Sequence, residues 1–519
     1  MKLRRLTIAA ALALLTQSAT GAVITDAGRV EGVSADGLTV YKGIPYAAPP
    51  MGALRWRPPQ PAAPWTDTRK ADAFAPACTQ SGVSMPGETP PPTSEDCLYL
   101  NIWTPAHRAD ARLPVIVWIH GGGFANGWAG MPLYWGDKLA RKGAVVVTVG
   151  YRLGALGFLA LPALTAESSA HSSGNYGLED QIAALRWVQK NIRAFGGDPD
   201  RVTIAGQSAG GDCVSILMAS PAARGLFARA IGESGGLFEP TELAADYALP
   251  KAEAEGQSYA ATLGATDLAQ LRALPASDFI KPGANRVAHP VLEPIVMPRS
   301  PYEAFARGEQ NDVPILVGSN AEEARSLVTD LASVNSANFD NGIAKAWGAL
   351  PPQLLAAYPH ATDAEAKQAR LDFERDLRFG WDMWAWARLE AMKGKSSVHY
   401  YRFTHRPPFP ADSVYANWGA SHFAELWFVF DHLDQERWHW TADDRKLADT
   451  ISSYWVNFAR SGDPNAPGLP SWPAFTATRQ QTLLLDEPIT VSGVPDLKTL
   501  SVFDAVYTGA RGAPFGETH

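Results

Sequence analysis

The chain of 519 residues contains 46% hydrophobic and 19% charged residues, which is a globular composition and argues against a disordered protein. Its formal net charge is −8 at pH 7 and no stretch is rich in lysine and arginine, so the sequence argues against a nucleic-acid-binding surface. Length alone permits about three domains of ~150 residues, although large α/β enzymes often form a single one.

The first 22 residues have the features of a secretory signal peptide. Lys2, Arg4 and Arg5 supply positive charge, residues 6–15 are apolar, and residues 18–22 are small enough for a cleavage site. A membrane anchor is the alternative, but this apolar run is too short to span a hydrocarbon core of ~30 Å. We therefore predict that residues 1–22 form a cleaved signal peptide and that the mature protein is exported, periplasmic or extracellular, without stable membrane insertion.

An exported protein with three cysteines is expected to form one disulfide and to keep one thiol. Cys78 and Cys97 flank a segment rich in proline, glycine and serine, and a bond between them would tie this segment down. We predict this pair, although the spacing does not prove it. Cys213 is expected to be a small buried hydrophobic residue rather than a reactive thiol.

The part of the chain between residues 29 and 205 alternates between strand and helix patterns. Apolar runs typical of strands occupy residues 29–30, 38–41, 98–103, 115–119, 145–149 and 202–205. Before the last of these runs, residues 176–193 carry apolar side chains at a spacing of ~3.6 residues, which predicts a helix. This alternation favours an α/β fold with a mostly parallel central sheet and helices on both faces.

A glycine-rich loop follows the strand predicted at residues 115–119. It reads His120-Gly121-Gly122-Gly123 and leaves backbone N–H groups without side chains around them. Acyl transfer requires such donors because the carbonyl oxygen becomes negatively charged in the tetrahedral state, and loss of one donor costs ~2.7–4 kcal/mol. A flexible glycine hinge is the alternative interpretation.

The motif at residues 206–210 reads Gly-Gln-Ser-Ala-Gly and lies between a predicted strand and a segment that predicts a buried helix. A G-x-S-x-G motif in this context is typical of the nucleophile elbow of serine hydrolases, in which a strained turn exposes the serine Oγ. The glycines are needed because a Cβ there would collide with the neighbouring strand and helix. An ordinary glycine-rich turn is the alternative, and the glycine-rich loop before it makes that alternative less favoured.

The second half of the chain continues the alternation. Residues 313–318 and 398–403 are predicted strands, and residues 444–460 form the predicted final helix of the chain, which ends at a glycine and a proline. The stretches around residues 240–310 and 322–395 are rich in Ala, Leu and Glu, and we expect helical insertions that cover the active-site cleft. We find no internal repeat and predict one domain over residues 23–519.

Several segments resemble the type-B carboxylesterase family, which includes bacterial esterases, liver carboxylesterases and cholinesterases. Residues 195–210 resemble the first signature of the family and residues 95–102 its second, with further likeness at residues 43–47 and 458–465. The resemblance covers almost all of the mature chain and implies the α/β-hydrolase fold. It also implies a carboxylic-ester hydrolase that acts on a small-molecule ester through an acyl-enzyme, without a metal or an organic cofactor.

The resemblance assigns the nucleophile and the base. Ser208 is the serine of the first signature, and residues 419–426 resemble the family stretch G-x-x-H-x-x-E-L, which makes His422 the base. Three other histidines are expected to be surface or structural residues: His405, His432 and His439.

The acid of the triad is expected in the loop after the strand at residues 313–318, because α/β-hydrolases carry their triad in the order Ser, Asp or Glu, His. Glu322 and Glu323 both lie there, and from the residues alone they are nearly equal candidates. The register of the resemblance favours Glu323. Glu322 is then expected to be a solvated residue at the start of a helix.

The resemblance also assigns the oxyanion hole to the N–H groups of Gly122, Gly123 and Ala209. It implies two structural ion pairs, which are Arg55 with Glu95 and Arg152 with Asp180. Glu425, within the histidine stretch, is expected to support the site from a second layer.

Two other functions remain open at this point. Some relatives in the family lack the catalytic serine and act as adhesion or binding proteins, but serine, histidine and acid are all present here. A serine amidase or thioesterase on the same scaffold is the other alternative, because the pocket rather than the triad selects the leaving group.

The sequence says little about which ester is hydrolysed. The segment between the two predicted disulfide cysteines has no tryptophan, which argues against a cation–π site for quaternary ammonium there. Aromatic residues surround His422 in the sequence and suit either an apolar acyl pocket or packing at the sheet edge: Trp418, Phe423, Trp427 and Phe428. The physiological substrate and the oligomeric state are not determined by the sequence.

Overall fold

The structure is a computed structural model that describes residues 22–241, 243, 247–281, 283–348 and 350–518. Apart from Ala22, the predicted signal peptide lies outside the described residues. No helix in the part of the chain that the structure describes combines the length and the apolar character needed to cross a membrane.

Sixteen strands occur in the described residues. Their bounds are β1 Val23–Ile24, β2 Arg29–Glu31, β3 Val33–Ala35, β4 Leu38–Pro45, β5 Arg69–Lys70, β6 Ala77–Cys78, β7 Thr93–Ser94, β8 Tyr99–Thr104, β9 Leu113–Ile119, β10 Val145–Val149, β11 Gly197–Gln207, β12 Arg229–Glu233, β13 Ile315–Asn320, β14 Val398–Phe403, β15 Thr482–Leu485 and β16 Thr490–Ser492.

The α-helices of the described residues lie between and after these strands. Their bounds are α1 Asp137–Arg141, α2 Gly154–Phe158, α3 Pro162–Glu167, α4 Tyr176–Asn191, α5 Ala209–Ala219, α6 Leu249–Thr262, α7 Leu268–Ala273, α8 Pro301–Ala306, α9 Phe339–Trp347, α10 Pro352–Ala356, α11 Asp363–Arg375, α12 Trp381–Lys393, α13 Leu426–Val429, α14 Ala442–Ser461 and α15 Leu497–Arg511.

Eleven of these strands form one large sheet in the order β16-β15-β14-β13-β12-β11-β9-β10-β8-β4-β3. The strands from β10 to β15 in this order pair in parallel, whereas the pairings at both ends of the sheet are antiparallel. Every residue of β10 is buried, as expected for a parallel strand that helices cover on both faces. The predicted α/β fold with a mostly parallel sheet is confirmed.

The side chains of β9 show how the sheet divides the core. Val115, Val117 and Ile119 belong to one large buried cluster, which includes residues of α4, α5 and α12. Ile116 and Trp118 belong to a second cluster, which includes residues of α1, α13 and α14. Because successive residues of a strand point to opposite faces, the two clusters are the two sides of the sheet.

The predicted helical insertions follow β12 and β13. Helices α6 to α8 lie between β12 and β13, and α9 to α12 lie between β13 and β14. A π-helical turn at Asp376–Gly380 joins α11 to α12. Since the carboxyl ends of parallel strands meet at one edge of a sheet, the loops after β9, β11, β12 and β13 converge there.

Candidate active site

Ser208 lies at the turn between β11 and α5, in a backbone conformation that residues other than glycine rarely adopt. Its φ is 58° and its ψ is −132°. A Cβ on Gly206 would lie 2.4 Å from the carbonyl oxygen of Gly210, and one on Gly210 would lie 2.1 Å from that of Ile119. The strand, the turn and the helix can approach this closely only because both flanking residues are glycines. The turn therefore has the geometry of a strained elbow.

His422 and Glu323 form a buried pair. The His422 Nδ1 atom lies 2.6 Å from Glu323 Oε2, and the two side chains are 1% and 0% exposed. With Glu323 as acceptor, Nδ1 carries the proton and Nε2 keeps its lone pair. The other carboxylate oxygen, Oε1, accepts hydrogen bonds from Ser234 Oγ at 2.6 Å and from the Asn320 N–H at 2.7 Å. These donors fix the orientation of the carboxylate and hence of the imidazole.

Glu322 faces away from this pair. Its carboxylate accepts hydrogen bonds from Arg325 Nε at 2.7 Å, from the Arg406 guanidinium at 2.7 and 2.8 Å, and from the Ala420 N–H at 3.0 Å. Partial burial acts to raise the pKa of Glu322, but the Ala420 N–H and the two arginines outweigh it and hold this pKa below its usual range. Glu322 is thus a charged residue in a surface ion-pair network.

The ring of His422 has three further neighbours. Phe379 stacks on it with ring centroids 4.6 Å apart, and Phe423 meets it edge-on at 4.4 Å. Gln207, which precedes Ser208, places its Nε2 atom 3.2 Å from the Nε2 atom of the imidazole. The described residues include no hydrogen bond between Ser208 Oγ and the ring, and such contacts often tighten only when a substrate binds.

The glycine-rich loop after β9 touches the elbow. A Cβ on Gly121 would lie 2.5 Å from the Gln207 carbonyl oxygen and 2.9 Å from Ser208 Cβ. Gly122 and Gly123 have φ values of 119° and 60°, which favour glycine. Within the described part of the chain, no hydrogen bond uses the N–H groups of these two residues. Ala209 is the first residue of α5, where backbone N–H groups have no partner within the helix.

His120 supports this loop in its neutral form. Burial lowers the pKa of His120 to about 4, so the imidazole is uncharged at neutral pH. The ring stacks on Tyr151 with a centroid distance of 4.5 Å, and the hydroxyl of Tyr151 donates to the His120 carbonyl oxygen at 2.8 Å. The first residue of the loop is therefore held by Tyr151, which lies two residues after the end of β10.

A second layer of carboxyl groups lies behind Glu323. Glu425 is fully buried and accepts a hydrogen bond from Asn320 Nδ2. Burial, together with the neighbouring carboxyl groups of Glu323 and Glu233, holds the pKa of Glu425 well above its usual range. Burial raises the pKa of Glu233 to about 8, partly offset by a hydrogen bond from Trp455 Nε1. Burial thus favours the neutral form of both groups and so reduces the negative charge beside Glu323.

The two expected ion pairs and the expected disulfide are present in the structure. Arg55 binds Glu95 through two hydrogen bonds of 2.6 and 2.7 Å. Arg152 binds Asp180 at 2.7 and 2.8 Å. Cys78 is bonded to Cys97, and Cys213 is a buried free cysteine.

The other histidines and aromatic residues near His422 in the sequence have structural contacts. His405 bridges Asp444 and Asp486, and His432 contacts Asp137. Trp418 and Trp427 pack with Phe409, Tyr415 and Trp438 in one aromatic cluster. Four aromatic residues lie near His422 in the sequence. In the described part of the chain, Phe423 alone among them has a ring contact with His422.

Phe379, Gln207, Ser234 and Asn320 contact the His422–Glu323 pair but were not predicted from the sequence. Ser234 and Asn320 lie at the carboxyl ends of β12 and β13, and that position was the available signal for them. Phe379 carried no such signal, because it lies in a helical insertion more than forty residues from His422. Within the described residues, no group of three or more His, Cys, Asp and Glu side chains is placed to hold a metal ion.

Comparison with known proteins gives consistent matches over most of the chain. The sequence profile described as "Carboxylesterase family" matches residues 19–500. A fumonisin B1 esterase of Sphingopyxis macrogoltabida is 39% identical over 471 residues, which cover 87% of this chain and 84% of that protein. A para-nitrobenzyl esterase of Bacillus subtilis is 36% identical over 496 residues, which cover 91% and 96%.

Solved structures match in the same way. A structure titled as a PNB esterase superposes with a TM-score of 0.81 at 34% identity and covers 93% of this chain and 99% of its own. A carboxylesterase structure from Geobacillus stearothermophilus gives a TM-score of 0.80 at 32% identity, with coverage of 93% and 99%.

Proposed function

Because this chain belongs to the carboxylesterase family and is a serine carboxylic-ester hydrolase, we propose that Ser208, His422 and Glu323 form its catalytic triad and that the reaction passes through an acyl-enzyme. The observation that carries this proposal is the hydrogen bond of 2.6 Å between His422 and Glu323, beside the elbow that carries Ser208. These residues lie far apart in the sequence, and two of them are almost fully buried.

The first half of the reaction transfers the acyl group to the protein. His422 Nε2 accepts the proton of Ser208 Oγ as this oxygen attacks the ester carbonyl carbon. The resulting imidazolium is stabilised by Glu323, whose charge is held by Ser234 and Asn320. When the tetrahedral state collapses, the bond to the alkoxy oxygen breaks and the imidazolium gives its proton to the leaving alcohol.

The second half of the reaction restores the free serine. Water gives a proton to His422 Nε2 and attacks the acyl carbon, and the bond to Ser208 Oγ then breaks as the oxygen takes the proton back. The carboxylic acid leaves as the second product. No group other than the triad, the oxyanion donors and water is required for these steps.

The oxyanion hole consists of the N–H groups of Gly122, Gly123 and Ala209. This assignment is supported by the contact between the glycine-rich loop and the elbow and by the absence of hydrogen bonds to the two glycine N–H groups in the described residues. Donors fixed before the reaction stabilise the developing oxyanion without reorganisation.

The triad is tested by hydrolysis of p-nitrophenyl acetate with Ser208→Ala. We expect turnover to fall by at least about a thousandfold with an unchanged melting temperature, since only the nucleophile is removed. Ser220→Ala is the matched control, because Ser220 is a buried serine outside the site. Wild-type turnover in Ser208→Ala would contradict the assignment.

We also propose that the protein is exported after removal of residues 1–22. The charged and apolar N-terminal sequence and the bond between Cys78 and Cys97 support this, because disulfides persist in oxidising compartments. The measurement is the mass of the protein recovered from the periplasm and the medium of its own host. A chain that begins near residue 23 is expected, and an uncleaved chain retained in the cytoplasm would contradict export.

A further inference from the structure

One face of the His422 ring is covered by a residue from a distant helical insertion. Phe379 stacks on the imidazole with an interplanar angle of 14° and ring centroids 4.6 Å apart. Both side chains are buried, with Phe379 9% and His422 1% exposed. Phe423, the residue next to His422, meets the ring edge-on at an angle of 64°. The imidazole is therefore confined by one aromatic face and one aromatic edge.

The segment that carries Phe379 has an unusual backbone. Asp376–Gly380 forms a π-helical turn, whereas α11 before it and α12 after it are ordinary α-helices. A π-turn is less favourable than a continuous α-helix and occurs often at functional sites. The wider turn changes the direction in which its side chains point relative to α11. The backbone irregularity thus coincides with the one residue of this insertion that stacks on His422.

Asp376 anchors the start of the π-turn. Its carboxylate is fully buried and accepts hydrogen bonds from Arg375 Nε at 2.8 Å, from the Tyr358 hydroxyl at 2.8 Å and from Thr499 Oγ1 at 2.7 Å. Thr499 belongs to α15 and Tyr358 follows α10, so the turn is tied to two other parts of the chain. These bonds hold the start of the turn in place.

The same ionic network reaches the acid of the triad. Arg375 contacts Asp496 at 3.2 Å, and Arg402 contacts Asp496 at 3.4 Å. Arg402 Nη1 also donates to the Asn320 carbonyl oxygen at 3.3 Å, and the Asn320 N–H donates to Glu323. The element that covers His422 and the loop that carries Glu323 are therefore connected through the buried Arg375 and Arg402 and the partly exposed Asp496.

We propose that Phe379 is a positioning residue for His422, held in place by the π-turn that Asp376 anchors. The phenyl face restricts rotation of the imidazole, so that Nε2 stays directed toward Ser208. It also stacks on the imidazolium that forms when the serine proton is taken, since the face of an aromatic ring attracts a cation. This inference rests on the proposed triad and adds a residue that acts through His422.

The test compares Phe379→Leu with Phe379→Tyr on p-nitrophenyl acetate. Leucine keeps an apolar side chain without a ring face, whereas tyrosine keeps the ring. Because aromatic pairs are worth ~0.5–1.5 kcal/mol beyond their burial, we expect kcat of Phe379→Leu to fall by about three- to tenfold. KM should stay within about twofold, and Phe379→Tyr should recover most of the lost kcat.

Phe195→Leu is the matched control, because Phe195 is a buried aromatic residue that meets Tyr41 edge-to-face, outside the site. It should lower the melting temperature and leave kcat unchanged. If Phe379→Leu fails to fold, Phe379→Met replaces it as a longer apolar side chain without a ring. The inference is overturned by wild-type kcat in the leucine or methionine variant, by a loss confined to KM, or by an equal loss in Phe379→Tyr.

The anchor is tested separately by Asp376→Asn, with Asp372→Asn as its matched control. The carboxylates of Asp376 and Asp372 both accept a hydrogen bond from Arg375. The hydroxyl groups of Tyr358 and Thr499 donate to Asp376 and not to Asp372 in the described residues. We expect Asp376→Asn to lower kcat in the same range as Phe379→Leu and Asp372→Asn to leave it unchanged. Equal kcat values for the two variants would contradict the anchoring role.

The experiment also separates this inference from the triad itself. If Ser208→Ala is inactive while Phe379→Leu has wild-type kcat, the triad stands and the positioning role is wrong. If Ser208→Ala remains active, the triad assignment is wrong whatever the Phe379 variants do.

Discussion

At the scale of single residues, Glu322 and Glu323 show how one step along the chain changes the role of a carboxylate. The loop after β13 enters a short 3-10 turn at Glu323–Ser326, which directs adjacent side chains to different sides. Glu323 contacts His422, whereas Glu322 contacts Arg325 and Arg406. The residue types could not separate the two, because both are glutamates at the end of the same strand.

We expect Glu323→Ala to lower kcat by about three to four orders of magnitude, because the imidazole loses its tautomer and its counter-charge. Glu322→Ala should keep kcat within about threefold of wild type, since it removes surface ion pairs. The measurement is steady-state hydrolysis of p-nitrophenyl acetate by both variants. A larger loss in Glu322→Ala would mean that the acid is assigned to the wrong residue.

A second prediction at this scale concerns Gly122 in the glycine-rich loop after β9. A Cβ on Gly122 would lie 2.1 Å from the Asn126 carbonyl oxygen, so Gly122→Ala forces the loop to move. We expect kcat to fall by about a hundredfold or more, because the donors lose their alignment. Gly52→Ala is the control, since Gly52 also has a positive φ of 57° but has nothing within 4 Å of its Cβ position. Unchanged kcat in Gly122→Ala would contradict the placement of the oxyanion hole.

At the scale of secondary-structure elements, the contact between β12 and α14 includes a buried carboxyl group with a raised pKa. Glu233 ends β12 and accepts a hydrogen bond of 2.7 Å from Trp455 Nε1 on α14. Burial raises the pKa of Glu233 to about 8, so the folded protein keeps this proton at pH values where the unfolded chain has lost it. The stabilising contribution of the neutral group is complete below about pH 4 and is lost as the pH rises to about 8.

We therefore compare the free energy of unfolding of Glu233→Gln with that of wild type at pH 6 and at pH 9. The difference should shift by ~2 kcal/mol in favour of the variant at the higher pH, because wild type loses the stability of its neutral carboxyl group whereas the amide cannot ionise. The measurement is the difference in melting temperature between variant and wild type at both pH values. Glu309→Gln, at an exposed position, should show no such change. A difference for Glu233→Gln that does not depend on pH would contradict the neutral state of Glu233.

The elements differed in how well the sequence predicted them. The helix predicted at residues 444–460 is α14, and its ends are marked by the capping residue Thr441 and by Gly462 in the left-handed conformation. The prediction that it is the final helix was wrong, because α15 follows it. β11 begins at Gly197, five residues before the predicted strand. The prediction missed this part of the strand because its first residues are polar and show no apolar pattern. The π-turn at Asp376–Gly380 was not predicted, since the apolar spacing continues through it without a glycine or proline at its start.

At the scale of the whole molecule, the site is assembled from segments that the sheet brings to one edge. The elbow follows β11, the acid follows β13, and the histidine follows β14. Local motifs indicated Ser208 and His422 as the proposed nucleophile and base, whereas the choice of Glu323 over Glu322 needed the register of the family resemblance. The contact of Phe379 with His422 could not be predicted, since it depends on how the insertion packs across the sheet edge. The contact of Gln207 at the end of β11 could not be predicted either, since it depends on where the loop after β14 places the imidazole.

The disulfide makes a prediction about the whole chain. Cys78 and Cys97 are separated by 19 positions, and closing a loop of this length stabilises a protein by ~3 kcal/mol. We expect Cys78→Ser with Cys97→Ser to lower the melting temperature and a reductant to lower that of the wild type to the same value. The double variant itself should not respond to the reductant. Equal melting temperatures for variant and wild type without reductant would contradict a stabilising role for this bond.

The most direct test of the triad is the site at which a fluorophosphonate attaches. The serine oxygen displaces fluoride from phosphorus, so the account predicts one adduct, on the peptide that contains Ser208. Labelling should be absent in Ser208→Ala and strongly slowed in His422→Ala. An adduct on another residue, or labelling of Ser208→Ala at the wild-type rate, would contradict the account.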